Sequence, residues 1–427
     1  MTAPKPTRSP IPGATDDTVL TPALRLQGRE RAQPVVDWLL AMRLRQHRIT
    51  LLFDGFVRQL QGVGVPLDRA TLSLAQLHPQ LRARTVLWDA QAGGAMEIPR
   101  AHGVEDSELF LKSPVRLILE GGPPLRRRLA RADCPLDFPI TQEIKPEGYT
   151  DYTARPLPFS IRQINTLTLA SKHPDGFSDL DIATMEAAMP LFGVLLELRN
   201  AYRTSETLME TYLGARSGRR VLAGTIKRGD VERINAVLWT SDLRDFTSLS
   251  NAMPMAAVVE LLDDYFEAMA QAIKAHDGEI LKFIGDAILA VFPIDEKHGG
   301  DARKACAASM AAASQALATV ERTAAACKSA GKPPFRCGIA LHVGDVMYGN
   351  IGAADRLDFT VIGPAVNLVS RLATLNRLLD VPLVFSTDYA AHWDGPARSL
   401  GRHELRGFAV AQEVFTLAKD EATAADD

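Results

Sequence analysis

Two aspartates stand where apolar, strand-like runs of the sequence stop. Asp242 follows the run Ala236–Ser241, and Asp286 follows the run Ile280–Gly285. A strand that ends in a carboxylate places a negative charge at the rim of its sheet, and two such carboxylates can share divalent cations. We therefore predict that Asp242 and Asp286 form a metal site that handles polyphosphate.

Each aspartate alone would be more typical of a turn, because Asp commonly follows a strand and Gly285-Asp286 is a common hairpin pair. The residues around Asp242 favour a binding site instead. They form a turn in which the backbone at Phe246 and Thr247 can hold phosphate oxygens, and an amphipathic helix begins near Pro254. The predicted order is strand, anion-binding turn, helix, and a hairpin with a carboxylate at its tip.

A second pair of polar residues has the spacing of one helix face. Asn367 and Arg371 lie four residues apart in a segment that Pro364 marks as the start of a helix. An amide and a planar guanidinium on one face can hold a ribose and a pentacoordinate phosphate. A solvated helix face is the ordinary alternative for such a pair.

With these residues in place, the sequence resembles the catalytic domain of the class III nucleotidyl cyclases, the adenylate and guanylate cyclases. The resemblance covers about residues 232–418, a little under half of the chain. The matching stretches, which occur in the family's order, are Ser241–Thr247, Gly278–Ala287, Gly338–Gly344 and Asp358–Arg371. Four spaced motifs together are a specific signal.

The resemblance implies a role for each of these residues. Asp242, Asp286 and the Leu243 carbonyl would hold two Mg²⁺ or Mn²⁺ ions per active site. The ions would lower the pKa of the ribose 3′-OH and neutralise the departing pyrophosphate during in-line attack on the α-phosphorus. Asn367 would bind the ribose, and Arg371 would stabilise the charge that develops in the transition state.

Lys282 and Thr360 match the family's base-selecting pair. Adenine presents an acceptor at N1 and a donor at N6, which an ammonium and a hydroxyl can read, whereas guanine would call for a carboxylate at position 282. The resemblance thus implies ATP as substrate and cyclic AMP as product, with a guanylate cyclase as the alternative. A lysine that discourages strand-edge pairing is the simpler interpretation of Lys282. Arg406 matches a basic residue that the family often has near the phosphates.

One residue departs from the family pattern in the turn after the first metal aspartate. The family usually has Gly three positions after that aspartate, and this chain has Asp245. Asp tolerates a left-handed backbone, so the turn can persist. An extra carboxylate would repel a triphosphate unless it turns outward or helps to hold metal.

The composition is that of an ordinary globular protein. The chain has 427 residues, 46% of them hydrophobic and 23% charged, and this length suggests two to three domains. A formal net charge of −3 argues against a nucleic-acid partner, and no apolar run is long enough to predict a membrane span. Four scattered cysteines without metal-like spacing and the lack of a signal-peptide core predict a cytoplasmic protein.

Residues 36–200 are predicted to form a GAF-like sensory domain. Strand-like runs occur at Ala70–Ala75 and Ser113–Leu119, and Asn165–Asp181 resembles the last strand and the start of the last helix of such a domain. The resemblance names no ligand, so the predicted input is an unknown small molecule or protein. Residues 1–35 and 419–427 are predicted to be flexible tails.

From Asp181 towards Tyr212 the pattern is helical, and apolar residues alternate three and four positions apart. Such spacing favours packing on a partner helix, although a helix that covers its own sheet would show it too. The residues in question are Ile182, Met185, Met189, Phe192 and Leu196. Residues 201–231 are predicted to be a helical linker and coupling element, followed by the cyclase domain at 232–418.

The predicted fold class is α+β: a GAF-like domain, a connecting dimer helix, and a cyclase domain on a ferredoxin-like βαββαβ core, with the alanine-rich segment 302–327 as its second long helix.

The resemblance implies a homodimer with active sites at the subunit interface. A non-enzymatic dimeric sensor would be expected to lack one of the metal, ribose or transition-state residues, and all are present. A diguanylate cyclase would need a Gly-Gly-Asp/Glu-Glu-Phe signature, which is absent.

Overall fold

The computed structural model describes residues 18–43, 48–160, 164–294, 300–331 and 333–418. The chain divides into two compact units, Met1–Leu208 and Met209–Asp427. Within the described part, no helix combines the length and the apolar character that crossing a membrane requires. Each unit has its own sheet and its own core.

The first unit contains a six-stranded antiparallel sheet with the strand order β3-β2-β1-β6-β5-β4. Its strands are β1 (Arg69–Ala75), β2 (Leu81–Asp89), β3 (Gly94–Ala101), β4 (Leu125–Arg127), β5 (Asp151–Pro158) and β6 (Ile164–Ser171). Its helices are α1 (Pro22–Met42), α2 (Ile49–Gly62), α3 (Glu108–Leu111), α4 (Pro114–Leu119), α5 (Pro139–Ile144) and α6 (Asp179–Leu213), the last of which ends in the second unit. Helices α1, α2 and α6 share one apolar core with the sheet, and α4 and α5 share another.

Two secondary-structure predictions for this unit are wrong. The tail predicted to extend to residue 35 is helical from Pro22, because Ala32, Val35 and Leu39 of α1 are buried in the core. The strand-like run Ser113–Leu119 is helix α4, because the Ser113 hydroxyl accepts the Arg116 N–H at 3.2 Å and Pro114 occupies the first helical position. The strand prediction at Ala70–Ala75 is confirmed by β1, and the residues predicted as a C-terminal tail lie outside the described ranges.

The long helix predicted from Asp181 is confirmed as α6, but its apolar stripe does not face outward. Ile182, Met185, Met189, Phe192 and Leu196 are all buried in the core of the first unit. Phe192, for example, stacks on Phe56 with 3.9 Å between ring centroids. The prediction that this stripe contacts a partner helix is therefore wrong, because the stripe covers its own sheet. The apolar residues that α6 exposes are Val194, Leu198, Tyr202 and Tyr212.

The second unit begins its regular structure with α7 (Ala215–Leu222) and β7 (Val231–Leu243). Its other helices are α8 (Phe246–Ala252), α9 (Met255–Ala275), α10 (Ala302–Ser329), α11 (Pro364–Leu378) and α12 (Thr387–Ala390). Its other strands are β8 (Glu279–Ile284), β9 (Ala287–Ile294), β10 (Cys337–Gly352), β11 (Leu357–Ile362), β12 (Leu383–Ser386), β13 (Ala397–His403) and β14 (Gln412–Leu417). They form one sheet in the order β13-β14-β12-β10-β7-β9-β8, and β11 pairs with β10.

The chain order β7-α9-β8-β9-α10-β10 with the strand order β10-β7-β9-β8 is the predicted ferredoxin-like βαββαβ core. Val237, Trp239 and Leu243 of β7 pack against α9 and α10, whereas Ala236 and Leu238 pack on the face that α11 covers. Because side chains alternate along a strand, Asp242 shares the α11 face with Leu238. The predicted α+β class is confirmed, and the likeness of the first unit to GAF domains stays a prediction.

Candidate active site

The two predicted metal aspartates lie at one rim of the second sheet. Strands β7 and β9 are antiparallel, with Ser241 opposite Ile288, so the end of β7 lies beside the turn that carries Asp286. Gly285 in that turn has a φ of 64°, a left-handed conformation that suits glycine in a tight hairpin. The sheet register therefore brings Asp242 and Asp286 together, as the sequence predicts.

Asp242 is a partly buried carboxylate with one satisfied oxygen. Its Oδ2 accepts a hydrogen bond from the guanidinium of Arg377 at 2.8 Å, and its Oδ1 is buried with no hydrogen-bond partner among the described residues. Burial raises the pKa of Asp242, Arg377 and Arg244 oppose that rise, and the charge of Asp286 adds to it. A buried carboxylate oxygen without a donor is a place where a cation would be stabilised.

The residues at this rim fit divalent cations that are shared with a phosphate ligand. Within the described ranges, no three or more His, Cys, Asp or Glu side chains come together as a metal site. Mg²⁺ is commonly held by one or two carboxylates together with substrate phosphates, which matches Asp242 and Asp286 as a pair. Leu243 is the last residue of β7, and its side chain packs in the core against α9 and α10.

The turn after β7 has the left-handed backbone conformation expected there, although this chain has Asp245 in place of the family's usual glycine. Asp245 has φ 56° and ψ 26°, in the left-handed region, and it precedes the first residue of α8, Phe246. The side chain of Asp245 is exposed, as is that of Thr247. The expectation that Asp tolerates the conformation of the usual glycine is thus confirmed.

Lys282 and Thr360 line one cavity of about 390 Å³, bounded by β8 and the β10–β11 hairpin. The Lys282 ammonium forms a hydrogen-bonded ion pair with Asp358, which also lines this cavity. Asp358 and Thr360 are two residues apart on β11, so both point to the same face of the strand. The cavity therefore presents an ammonium, a carboxylate and a hydroxyl.

Asn367 and Arg371 lie on one exposed face of α11. The opposite face of the helix is buried through Leu368, Val369 and Leu372. Arg406 is exposed in the turn between β13 and β14. Among the described residues, the side chains of Asn367, Arg371 and Arg406 form no hydrogen bond or ion pair with the two rim aspartates or with the polar residues of the cavity.

A buried network attaches α7 to the strands that border the cavity lined by Lys282 and Thr360. Glu279, the first residue of β8, accepts the backbone N–H of Ser217 at 2.9 Å, and the Tyr348 hydroxyl donates to it at 3.1 Å. The Arg220 guanidinium lies 5.3 Å from the centre of the Tyr348 ring and 5.8 Å from that of Phe359. Phe359 stands between Asp358 and Thr360, so α7 contacts both strands that carry the cavity's polar groups.

Sequence reasoning missed three charged residues of the site. Asp358 was inside a matching motif, and strand alternation with Thr360 would have placed it in the cavity. Arg244 was also inside a matching motif, but the motif did not indicate its contact with the end of α11. Arg377 lies outside every matching motif. Both contacts depend on how the helix crosses the sheet.

The part of the chain that carries this site is similar to a known family. Residues 231–412 match the family model described as the adenylate and guanylate cyclase catalytic domain. The chain is 31% identical over 180 residues to adenylate cyclase 1 of Rhizobium meliloti (strain 1021), which covers 41% of this chain and 26% of that protein. It is 39% identical over 139 residues to the adenylate cyclase of Anabaena cylindrica, covering 32% of this chain and 26% of that protein.

An uncharacterized protein of Mycobacterium tuberculosis (strain ATCC 25618 / H37Rv) is 33% identical over 202 residues, 45% of this chain and 35% of that protein. The chain thus spans only about a quarter to a third of the length of these curated relatives. Among solved structures, a bacterial light-regulated adenylyl cyclase aligns with a TM-score of 0.45 at 25% identity, over 53% of this chain and 64% of that one.

Proposed function

Because residues 231–412 match the family model of the adenylate and guanylate cyclase catalytic domain, we propose that this protein converts ATP to 3′,5′-cyclic AMP and pyrophosphate. The observation that carries the choice of ATP is the base cavity, in which Lys282 and Thr360 lie together. Lys282 can donate to adenine N1, and Thr360 can accept from the 6-amino group. Two adenylate cyclases among the relatives support the same substrate.

In the proposed mechanism, Asp242 and Asp286 hold two Mg²⁺ or Mn²⁺ ions at the rim of the sheet, with the Leu243 carbonyl as a further ligand. The ions, when bound, supply neutralisation of the triphosphate and a lower pKa for the ribose 3′-OH. Asn367 orients the ribose, and Arg371 donates to the phosphorus oxygens as their charge develops. Phe246, Thr247 and Arg406 are the proposed contacts of the phosphates.

A guanylate cyclase is the second candidate, and Asp358 is the observation that favours it. Guanine presents donors at N1 and N2, and the Asp358 carboxylate adds an acceptor to the same cavity. The ion pair with Lys282 argues for adenine, since it occupies that carboxylate and leaves the ammonium as the nearby donor.

The proposed active unit is a cytoplasmic homodimer with its sites at the subunit interface. Asn367 and Arg371 support this assembly, because both are exposed on α11 of the single chain. We further propose that the first unit is a GAF-like sensor that regulates catalysis. The support for regulation is the path from α6 into α7, whose network reaches both strands of the base cavity.

The test is to incubate the purified protein with ATP and GTP, each with Mn²⁺, and to identify the products by mass spectrometry. Cyclic AMP should be the dominant product. Asp286→Asn should stay folded and lose at least ~10²-fold in turnover, the scale for removing a partner of transition-state charge. Cyclic GMP as the main product would favour the second candidate, and near-normal turnover of Asp286→Asn would refute the metal assignment.

A further inference from the structure

The contact between Arg377 and Asp242 joins an exposed guanidinium to a proposed metal ligand. Arg377 lies in the last turn of α11, and its side chain is 54% exposed, whereas that of Asp242 is only 15% exposed. The guanidinium donates to Oδ2 at 2.8 Å. The carboxylate is thus anchored in the sheet, and its arginine partner extends from the surface.

A second arginine near Asp242, Arg244, has a purely structural environment and serves as a comparison for Arg377. Arg244 is buried, and its Nη2 donates to the main-chain carbonyls of Asn376 at 3.1 Å and Val381 at 2.6 Å. Gly338, opposite Asp242, makes room for this contact, because a Cβ there would lie 2.1 Å from Asn376 Oδ1. Arg377 shows neither this burial nor such a set of carbonyl acceptors among the described residues.

The positive charge of Arg377 would repel a cation bound at Asp242. In the single chain, the guanidinium satisfies one carboxylate oxygen, and the other oxygen stays buried without a donor. A divalent cation at Asp242 would lie within a few ångströms of the guanidinium, and like charges at that distance repel strongly in partly buried surroundings. Because Arg377 is half exposed, it can move into water without burying its charge.

We propose that Arg377 is a latch on the proposed metal site: it neutralises Asp242 while the site is empty and must leave Asp242 when a divalent cation binds. The inference rests on the proposed function, since it assumes that Asp242 holds a cation. Arg377 is in this view a positioning residue that competes with the metal. The opposite role, in which Arg377 orients Asp242 as a metal ligand, would make metal binding weaker when Arg377 is removed.

The test measures Mn²⁺ binding without turnover. Full-length protein is titrated with Mn²⁺ in the presence of 3′-deoxyATP, which lacks the attacking hydroxyl. Free Mn²⁺ is followed by electron paramagnetic resonance, and the same titration of 3′-deoxyATP without protein is subtracted because the nucleotide itself binds Mn²⁺. Arg377→Gln should bind Mn²⁺ with a dissociation constant about three- to tenfold lower than wild type, the range for losing a half-exposed ion pair. Arg377→Lys, which keeps the charge, should stay close to wild type.

Arg303→Gln is the matched control, because Arg303 is similarly exposed, at 58%, and pairs with a carboxylate elsewhere in the same unit, Asp394. It should leave Mn²⁺ binding unchanged. If Arg377→Gln fails to fold, Arg377→Met, which keeps an aliphatic stem, takes its place. Equal or weaker Mn²⁺ binding in the Arg377 variant would overturn the latch alone, whereas absence of Mn²⁺ binding by wild type would overturn the proposed function together with it.

Discussion

At the scale of single residues, the base cavity depends on one ion pair. Lys282 lies on β8 and Asp358 on β11, and their contact holds the ammonium towards the cavity that Thr360 also lines. An unpaired lysine would sample many rotamers, so on the proposed function the carboxylate reduces the entropy that base binding must overcome. On the proposed function, selection between purines would depend on three side chains, one more than the sequence motif indicates.

Exchanging the donor and acceptor of this cavity should change the base it prefers. Lys282→Glu with Thr360→Cys places a second carboxylate beside Asp358, and we expect low activity with both nucleotides because the like charges repel. Adding Asp358→Asn should relieve the repulsion and shift the ATP-to-GTP ratio of kcat/KM towards GTP by at least about tenfold. Steady-state rates with both nucleotides measure the ratio.

Asp355→Asn in the wild-type background is the control for the loss of charge, since this residue lies on the same hairpin and does not line the cavity. It should leave the ratio unchanged. An active triple variant with the wild-type ratio would show that the base is selected elsewhere.

The residues that could be predicted from sequence share a local signal. Asp242 and Asp286 end apolar strands, and Asn367 and Arg371 have helical spacing in a matching motif. Arg377 could not be predicted, because its partner is 135 positions away and the contact exists only once α11 has packed on the sheet. Local patterns thus indicate the groups proposed to react, and tertiary packing decides which charges accompany them.

At the scale of elements, the residue spacing in α6 predicts a helix but does not predict what that helix packs against. Spacing of three and four predicts a helix with an apolar stripe, and both are present. The same spacing cannot say whether the stripe meets a partner or the helix's own sheet, because either contact buries the same residues. Helix α4 shows that apolar composition alone does not predict a strand. Its apolar run has a strand-like composition, but the run is helical because Ser113 caps its N-terminus.

The connection from α6 to α7 predicts how the first unit would act on catalysis. Removing residues 1–205 should change the basal cyclase rate, in either direction, because only residues 206–213 of α6 then remain ahead of α7. Glu279→Gln, which weakens the attachment of α7 to β8, should reduce the difference between full-length and truncated proteins. Rates of the four proteins measured side by side give this comparison.

Equal rates for full-length and truncated protein under all ligands tested would mean that the first unit does not regulate catalysis. A truncation effect that Glu279→Gln leaves at full size would mean that the signal does not pass through α7. Thermal unfolding of Glu279→Gln is the accompanying control, because a buried carboxylate with several donors also contributes to stability.

At the scale of the whole molecule, the proposed site is divided between copies of the chain. The carboxylates proposed to bind metal lie at one rim of the sheet, and Asn367 and Arg371 extend outward from α11 without reaching them. In a two-fold dimer, Asn367 and Arg371 of one chain would meet the carboxylates of the other chain, and the symmetry would create two such sites.

Mixing two inactive variants tests this division. Asp286→Ala and Arg371→Ala should each be nearly inactive as homodimers. After subunit exchange, half of the dimers are mixed and each has one intact site, so activity should return to roughly a quarter of wild type by two-fold symmetry. No recovery, with heterodimers demonstrated by differently tagged chains, would mean that each site is built within one chain.

The small number of acidic ligands has a consequence for how such an enzyme would respond in a cell. Two carboxylates bring a charge of −2 to a site proposed for two divalent cations, whose charge is +4, and no third acidic side chain joins them among the described residues. The missing negative charge has to arrive with the triphosphate. On the proposed function, the protein therefore retains little metal between turnovers, and its rate follows the supply of metal-bound nucleotide more closely than the supply of free metal.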